Sequence, residues 1–336
     1  MDMDKFIKLE PMKYWSPDEG MGIEADIIDH PEKYSDYIGS YKLDGEWAKM
    51  VWDGKDVFIL SRSFSKKTGE YAHKEANVPH LVEVFKKLPA NTCILGELCF
   101  DDLYKRSKDV GTLMRCLPEK AIARQEKEED KLHFYVFDVL CYNGEDLINT
   151  SFEERITKYL GMVKQFYTNS PYIRFAEYKD IKTVAKQYEE YLSRGGEGFV
   201  LQRKDNVYYS GKRPAWKTIK LKKATQEMEL PIVGLLNPEK FYTGKELENW
   251  EYFVDGIAVT KYYYKGWVAG VKVKNGDTIC NVSSGITDED AEWLSTYEAR
   301  KLLDEGRLIA KVSAMEVEPD TGKLRHGRLL EIRTDI

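Results

Sequence analysis

The chain has 336 residues, of which 42% are hydrophobic and 32% are charged, and its formal net charge is −6 at pH 7. The length predicts about two domains, the composition excludes an intrinsically disordered chain, and the sequence has no apolar run of eighteen residues that would indicate a transmembrane helix. Five cysteines without a C-x-x-C pair argue against a disulfide framework or a zinc knuckle, and with the acidic residues 1–5 they predict a cytoplasmic protein that has no secretory signal and no membrane partner.

The first two-thirds of the chain alternates between strand and helix patterns. Strand-like runs occupy residues 47–60, 93–100, 132–140 and 198–202. Leu81, Val84 and Phe85 recur on one helical face. Ser151 begins a capping box, and Asp180 can cap a further helix. Because these elements form no parallel strand–helix–strand series, we expect an α+β fold of mixed or antiparallel sheets with flanking helices.

The character of the sequence changes near residue 229, after which short strands dominate. Strand-like runs occupy residues 232–236, 250–261, 267–273, 278–282, 309–319 and 327–333. One helix pattern, beginning at Thr287, interrupts them. About a hundred residues of short strands with one helix predict a small β-barrel of the OB type. We therefore expect two domains, residues 1–228 and residues 229–336.

Residues 41–45 read Tyr-Lys-Leu-Asp-Gly and place a lysine and an acid two positions apart. On a strand, Lys42 and Asp44 would point to the same side, and Gly45 would let the backbone approach a ligand closely. A lysine is a nucleophile only when it is neutral, so a site must lower its pKa from about 10.4 by burial or by nearby cations. On its own, this short pattern is also typical of an exposed hairpin.

The acidic and basic residues that follow indicate phosphoryl chemistry. Glu97 lies inside an apolar run, where a lone carboxylate is costly unless it is paired or bound to a ligand. Glu197 stands at the start of another predicted strand, and Lys220 and Lys222 share one face of a third. Because carboxylates hold divalent metal ions and lysines neutralise phosphate, these residues together with Lys42 predict a site for phosphoryl transfer.

In their order along the chain, these residues resemble the motifs of the covalent nucleotidyltransferases, and specifically of the ATP-dependent DNA ligases. The resemblance runs from about residue 37 to residue 333 and is to the compact ligases of bacteriophages and other viruses, in which no separate DNA-binding domain precedes the catalytic one. It implies an adenylation domain of nucleotidyltransferase fold followed by an OB-fold domain. The matching segments are residues 42–45, Glu97, residues 137–147, Glu197, the pair Lys220 and Lys222, and residues 282–288 and 324–328.

The resemblance implies a three-step reaction that seals nicks in duplex DNA. Lys42 attacks the α-phosphorus of ATP and keeps AMP, the AMP passes to the 5′-phosphate of the nick, and the 3′-hydroxyl group then displaces AMP. The resemblance also implies Mg2+, or Mn2+ in its place, as the metal ion. Nicked double-stranded DNA would be the partner of a monomeric enzyme.

The same resemblance gives roles to the other motif residues. Asp44 would support the site around Lys42. Glu97 would face the ribose and would hold the metal ion together with Glu197. The remaining implied contacts are Lys220 and Lys222 with the α-phosphate, Arg62 with a phosphate, Phe137 stacked on adenine, and Arg325, Arg328 and Arg333 with the leaving pyrophosphate.

The chain departs from the family pattern in its first motif. Ligases of this kind usually carry an arginine two residues after the motif glycine, where this chain has Trp47. The contact of that arginine with sugar or phosphate is therefore missing or comes from elsewhere in the chain. Near the last lysines, Trp216 stands four residues before Lys220, a longer gap than usual, so Lys217 could replace one lysine of the pair.

Positive charge is concentrated in two places although the chain as a whole is acidic. Residues 203–223 hold eight lysines and arginines against one acid, with three aromatic residues among them, and arginines recur in residues 323–333. Such runs fit the phosphate backbone of DNA, and they also fit solvated faces. Residues 261–267 of the barrel fit DNA contact and barrel core equally. For the charged segment 101–131 we expect a helical insertion with a solvated surface.

Two other kinds of protein remain compatible with the sequence. An RNA ligase or a GTP-dependent mRNA capping guanylyltransferase would use the same lysine nucleophile, and Trp47 slightly weakens the DNA assignment. A non-catalytic OB-fold protein that binds DNA is the other alternative, but the lysine and the acids of the motifs are intact. Residues 137–147 and 324–328 favour a DNA ligase.

Overall fold

A computed structural model of the chain describes residues 2–17, 21–65, 68–101, 107–222, 226–241, 251–318 and 321–334. The chain divides into two compact units, Met1–Lys223 and Ala224–Ile336. The predicted boundary between residues 228 and 229 falls inside a strand of the second unit, Gln226–Leu236. The strand begins before the change in composition because its first residues already pair within the second unit.

Strands and helices alternate along the sequence of the first unit. Its described strands are β1 (Tyr37–Tyr41), β2 (Glu46–Trp52), β3 (Val57–Ser65), β4 (Glu70–His73), β5 (Thr92–Cys99), β6 (His133–Tyr142), β7 (Glu145–Asp146), β8 (Ile173–Phe175), β9 (Lys179–Asp180), β10 (Gly198–Arg203) and β11 (Thr218–Lys222). Its described helices are α1 (Asp4–Lys8), α2 (Ile23–Asp29), α3 (Pro79–Phe85), α4 (Ser107–Met114), α5 (Pro118–Ala123), α6 (Phe152–Glu154), α7 (Leu160–Gln165) and α8 (Ile181–Ser193), and a π-helical turn (Arg155–Tyr159) joins α6 to α7.

The larger sheet of this unit takes the strand order β4-β3-β2-β5-β6-β7, with β8 paired in parallel to β6. Its other ladders are antiparallel, and the run predicted at residues 47–60 forms the hairpin β2–β3. Along β2, Ala48 and Met50 face one core, whereas Trp47 and Val51 face another. The alternation of side chains thus covers both faces of the sheet with apolar residues.

The smaller sheet has the order β11-β10-β1-β9 and is antiparallel throughout its described ladders. On one face, Phe199, Leu201 and Ile219 pack against apolar residues of α2 and α8. The other face carries Val200 on β10 and, directly opposite it on the neighbouring strands, Ser40 and Lys220. One side of this sheet is therefore core, and the other presents polar groups.

Local signals explain where the helices begin. The Asp180 carboxylate accepts a hydrogen bond from the Thr183 N–H at 3.0 Å and caps α8, and the Ser151 hydroxyl accepts one from the Glu154 N–H at 3.3 Å and caps α6. Both residues are confirmed as caps, but of the capping box predicted at Ser151 the structure shows only this bond. Helices packed outside antiparallel sheets confirm the predicted α+β class.

The second unit is built around one sheet. Its described strands are β12 (Gln226–Leu236), β13 (Phe253–Val254), β14 (Ile257–Ala258), β15 (Gly270–Asn275), β16 (Thr278–Val282), β17 (Leu308–Ala314), β18 (Glu316–Val317), β19 (Leu324–Arg325) and β20 (Arg328–Thr334), and its described helices are α9 (Lys261–Lys265), α10 (Asp288–Leu294) and α11 (Tyr297–Asp304). The main sheet has the order β16-β15-β12-β17-β20. A bridge between Ser284 and Arg328 brings its two edges together, as the closure of a barrel requires.

The strand predicted at residues 250–261 is wrong in its described part, where the short hairpin β13–β14 leads into α9. Thr260 caps this helix by accepting a hydrogen bond from the Tyr263 N–H at 3.3 Å, and Gly266 ends it at a φ of +71°. Tyr263 and Tyr264 are exposed on α9, so strand-like alternation does not bury them in the barrel core.

The helix predicted from Thr287 is present as α10, but a second helix, α11, follows it. Thr287 forms a complete capping box with Asp290. Thr296 caps α11 by accepting a hydrogen bond from the Ala299 N–H at 3.2 Å. Among the described residues of the chain, no helix is both long enough and apolar enough to cross a membrane.

Candidate active site

A cavity of about 380 Å³ lies within the first unit and is lined by residues of both its sheets. This volume falls in the range of about 300–1,000 Å³ that is typical of small-molecule sites. Six of the predicted site residues meet in its lining: Lys42, Asp44, Arg62, Glu97, Phe137 and Lys220. The lining also includes Tyr14, Ser40, Glu46, Trp47, Arg115, Tyr178, Val200 and Gln202.

Lys42 directly follows β1, and its ammonium group forms an ion pair with Glu197. Both side chains are largely buried, with 21% and 13% of their surface exposed. The Lys42 backbone N–H donates to the carbonyl oxygen of Gly198 at 2.8 Å. Gly198 has a φ of +122°, and a Cβ there would lie 2.1 Å from the Leu221 carbonyl oxygen. Glycine therefore lets β10 begin tight against β11, with Glu197 beside Lys42.

Glu97 on β5 lies next to the loop of residues 42–45, called the motif loop here. A Cβ on Gly45 would lie 2.8 Å from the Glu97 Cγ and 2.4 Å from the Leu98 carbonyl oxygen, so only glycine lets the loop pass this closely over β5. Burial raises the pKa of the Glu97 carboxyl group to about 7. The carboxylates of Glu197 and Asp44 act in the same direction, and cations of the cavity oppose them. Near neutral pH, Glu97 can therefore hold a proton and donate a hydrogen bond.

Lys220 lies on β11 opposite Val200 and supplies a second amine to the cavity. Burial, together with the neighbouring cations Lys42 and Arg62, lowers the pKa of this lysine to about 8. Within the part of the chain that the structure describes, its ammonium group has no carboxylate partner. A bound anion would relieve the repulsion between these cations, so the site favours a phosphorylated ligand.

Phe137 on β6 is held in place from two directions. Its carbonyl oxygen accepts a hydrogen bond from the Tyr178 hydroxyl group. The next residue, Asp138, is buried and accepts hydrogen bonds from Arg155 at 2.7 and 2.9 Å. Arg155 is itself fully buried and also donates to the Thr150 carbonyl oxygen at 2.6 Å. The half-buried Phe137 ring is thus presented to the cavity from a rigid strand.

Trp47 and Arg62 occupy neighbouring strands of the larger sheet. The Arg62 guanidinium lies over the Trp47 ring, 5.4 Å from its centroid. Trp47 is only 6% exposed and packs in the core that includes Val51, Leu95 and Leu140. The tryptophan therefore supports the arginine of the next strand rather than offering a cation itself.

Comparison with known proteins decides the family. Residues 25–222, more than half of the chain, match the sequence profile of the ATP-dependent DNA ligase domain. The chain belongs to the ATP-dependent DNA ligase family. The resemblance seen in the motifs is thereby confirmed.

Curated DNA ligases match the chain over most of its length. The DNA ligase of Sulfophobococcus zilligii is 27% identical over 328 residues, which cover 93% of this chain and 50% of the relative. The DNA ligase of Thermococcus fumicolans is 26% identical over 285 residues, which cover 83% of this chain and 45% of the relative. The chain thus spans about half the length of these relatives.

Solved structures show the same fold. A structure from a study of DNA binding with a minimal scaffold in Lig E DNA ligases has a TM-score of 0.61 at 18% identity, covering 97% of this chain and 98% of the other. The structure named Pmar-Lig_PreS3 has a TM-score of 0.62 at 18% identity, covering 98% of this chain and 70% of the other. The predicted succession of a nucleotidyltransferase domain and an OB-fold domain is confirmed.

Several residues that line the cavity fall outside the motifs and were missed by sequence reasoning, among them Gln202, Glu46 and Arg115. Gln202 and Glu46 each place a buried side-chain oxygen in the lining that accepts no hydrogen bond within the described residues. Strand alternation from Val200 could have found Gln202. Arg115 comes from segment 101–131, for which a solvated surface was expected, and no sequence signal points to it.

Other predicted residues of the ligase site lie elsewhere. Lys222 pairs with Gly198 and does not line the cavity, although its charge helps to lower the pKa of Lys220. Arg325 on β19 and Arg328 on β20 belong to the second unit. Their contact with pyrophosphate stays a prediction, as does that of Arg333, which forms an ion pair with Glu229.

The carboxylates of the cavity suit a hard divalent cation. The described residues include no cluster of three or more side chains that could hold a metal ion alone. Mg2+, however, is usually bound by one or two carboxylates together with substrate phosphates and water. Glu97 offers such an oxygen ligand from the lining, and Glu197, which is not itself a lining residue, offers another beside Lys42. The charge of Glu197 raises the pKa of Glu97, so the two carboxyl groups interact. The donor set therefore fits Mg2+, or Mn2+, provided that a nucleotide completes it.

Proposed function

We propose that this chain is an ATP-dependent DNA ligase that seals nicks between a 5′-phosphate and a 3′-hydroxyl group in duplex DNA. The observation that carries the proposal is the partly buried Lys42 amine, which pairs with Glu197 and lines a cavity together with Arg62 and Lys220, two cations that lack carboxylate partners in the described part of the chain. Such a site presents a nucleophile to a polyanion.

In the first step, the Lys42 Nζ attacks the α-phosphorus of ATP. A nitrogen–phosphorus bond forms, the bond from the α-phosphorus to its bridging oxygen breaks, and pyrophosphate leaves. Glu197 is the carboxylate that the Lys42 ammonium group contacts, so it is placed to accept the proton that the amine must lose. Lys220 and Arg62 neutralise the charge that develops on the phosphoryl oxygens.

The adenosine part of the nucleotide would fill the rest of the cavity. Phe137 offers its ring to the base, and Glu97, ionised when it holds the metal ion, would accept a hydrogen bond from a ribose hydroxyl group. Glu97 and Glu197 would hold Mg2+ together with the phosphates, and the ion when bound neutralises phosphate charge. Asp44 lines the same cavity and adds to the negative potential around these acids.

In the second and third steps, AMP passes from Lys42 to the 5′-phosphate of the nick, and the 3′-hydroxyl group attacks that phosphorus with loss of AMP. DNA binding of this kind follows the phosphate backbone and weakens with salt. Exposed Tyr263 and Tyr264 on α9, with Lys261 and Lys265, support a DNA-contacting role for this helix. We place the activity in the cytoplasm of a bacterial or virus-infected cell, because ATP and nicked genomes occur there. We propose that the enzyme acts as a monomer.

Labelling tests the proposal directly. The protein is incubated with ATP labelled at the α-phosphate and Mg2+, then denatured in acid. We expect a covalent adduct in the wild type and in Lys86→Ala, a surface lysine control on the far side of α3 from the core, and no adduct in Lys42→Ala. An adduct that persists in Lys42→Ala would refute the nucleophile.

Substrate choice is tested on nicked duplexes in which the nicked strand and its template are DNA or RNA. We expect sealing of the DNA nick on a DNA template. Sealing confined to RNA ends would make the chain an RNA ligase instead. Labelling by GTP and not by ATP would indicate a capping guanylyltransferase.

A further inference from the structure

Arg115 reaches the active-site cavity from a segment that none of the motifs includes. It follows the last residue of α4, and its side chain is exposed yet forms part of the cavity lining. Within the described residues, no carboxylate forms an ion pair with it. A guanidinium group that pairs with no carboxylate of the described residues therefore lines the cavity in which the proposed reaction handles phosphates.

Hydrogen bonds from the side chains of Asn77 and Lys74 fix the backbone around Arg115. The Asn77 side chain, only 5% exposed, donates to the carbonyl oxygens of Leu113 at 2.9 Å and Cys116 at 3.2 Å. The Lys74 amine donates to the Met114 carbonyl oxygen, and Leu113 and Met114 are themselves buried in the core. Three backbone carbonyl oxygens on either side of this exposed arginine are thus held by hydrogen bonds, as is typical of a residue that a protein holds ready for a ligand.

Ligases of this kind usually carry an arginine two residues after the motif glycine, at the position of Trp47. The cavity of this chain therefore lacks the cation that this arginine would supply. Position 47 is a buried tryptophan that packs under Arg62, so it offers no charge to a phosphate. Arg115 lines the same cavity as Trp47 and carries a planar fork of donors, which suits two phosphoryl oxygens at once. Arg115 thus adds to this cavity a positive charge that Trp47 does not provide.

We propose that Arg115 is a phosphate-binding residue of this active site, which holds non-bridging phosphoryl oxygens of the substrate. The inference rests on the proposed function. The phosphoryl group has two sources in that reaction, the triphosphate tail of ATP and the 5′-phosphate of the nick, and both have the same chemistry. Kinetics of the separate steps distinguish them.

The test compares the wild type with Arg115→Ala, Arg115→Lys and the control Lys120→Ala, which removes a positive charge from exposed α5 of the same segment. Three rates are measured: adduct formation as a function of ATP concentration, transfer of AMP from the adduct to nicked DNA, and sealing of a nick that already carries AMP. A charge-assisted, bidentate contact predicts a loss of about 10- to 100-fold in Arg115→Ala. We expect partial rescue in Arg115→Lys and no loss in Lys120→Ala.

The pattern of loss identifies the source of the phosphate. If Arg115 holds the triphosphate tail, Arg115→Ala needs more ATP to form the adduct, and sealing of the AMP-carrying nick is unchanged. If it holds the 5′-phosphate, adduct formation is unchanged, and both later steps slow down. Melting temperatures of all variants, expected to equal that of the wild type, show that the losses do not come from unfolding.

Two results would overturn the inference without touching the proposed function. The first is an Arg115→Ala variant that equals the wild type in all three rates. The second is an equal loss in Lys120→Ala, which would show an effect of net charge alone. A wild-type protein that forms no adduct with ATP would overturn the proposed function itself, and the two failures are therefore distinct.

Discussion

Glu97 couples the stability of the first unit to pH. The carboxyl group has a pKa of about 7 in the folded protein, raised by burial from 4.5, so between these values the folded state holds a proton that the unfolded chain has released. The free energy of unfolding therefore falls as pH rises from about 4.5 to about 7, by on the order of 3 kcal/mol for this residue. Below that window its full stabilising contribution is present, and above it the contribution is lost.

We expect Glu97→Gln to remove this dependence. At pH 8 the variant should unfold with a free energy higher than that of the wild type by on the order of 3 kcal/mol, and near pH 4 the two should converge. Urea unfolding curves between pH 4 and pH 8 measure the difference. Glu189→Gln, an exposed glutamate of α8, is the control and should follow the wild type. A Glu97→Gln curve with the wild-type slope would contradict the coupling.

Sequence reasoning found the motif residues of the cavity because their order along the chain resembles a family pattern, although each short pattern alone is unspecific. A lysine beside an acid and a glycine, and a glutamate inside an apolar strand, both require a partner, and Lys42 and Glu97 do share one cavity. Gln202 and Arg115 were missed for the opposite reason. A polar residue in a strand or a charged residue in an insertion is ordinary until the sheets are brought together in space.

At the scale of elements, β6 and the helix that follows it are locked by one buried ion pair. Asp138 and Arg155 are 1% and 0% exposed, with both carboxylate oxygens accepting from the guanidinium group. Removing one partner leaves an uncompensated charge in the core, which costs about 3–5 kcal/mol, whereas replacing both by apolar residues is often nearly neutral. Asp138, one partner of this ion pair, lies on β6 next to Phe137, so the pair also fixes the strand that presents Phe137 to the cavity.

We expect Arg155→Met to lower the free energy of unfolding by about 3–5 kcal/mol and the double variant Asp138→Leu/Arg155→Met to recover most of it. Urea unfolding of the two single variants, the double variant and the wild type gives the coupling energy of the pair. The exposed pair Arg194 and Glu190 on α8 provides the control, because Arg194→Met should cost less than about 1 kcal/mol. A loss in Arg155→Met as small as that of the control would contradict the lock.

Helices whose cap is followed by a long apolar repeat were predictable from the sequence, whereas a short helix defined only by the residues at its two ends was not. Asp180 and Ser151 stand before long apolar repeats, so the start of α8 and of α6 could be seen in the sequence. Residues 261–265 have an aromatic pattern that suits a strand, but Thr260 and Gly266 close a single helical turn around it. The capping residues Thr260 and Gly266 thus outweigh the strand propensity of the five residues between them.

At the scale of the whole molecule, each unit has a core of its own. Apolar clusters of the first unit surround its two sheets, and a separate cluster with Ile232, Val271 and Val312 fills the sheet of the second. Composition revealed this division, but the boundary could not be read to the residue because β12 begins in a polar stretch, Gln226–Glu229, whose pairing with β17 is a tertiary property.

Separate cores predict separate unfolding, and the ligand should act on one of them alone. The cavity is lined by residues of the first unit, so a nucleotide that binds there stabilises that unit by about 2.7 kcal/mol at a concentration of 100 Kd. In scanning calorimetry with α,β-methylene-ATP, which cannot release pyrophosphate, we expect two transitions, of which one moves to higher temperature and the other stays. Gln202→Met, which alters the cavity, should reduce the shift, and Ile279→Ala, an exposed residue of the second unit, should leave it unchanged. A single transition, or two that move together, would show that the units unfold as one body.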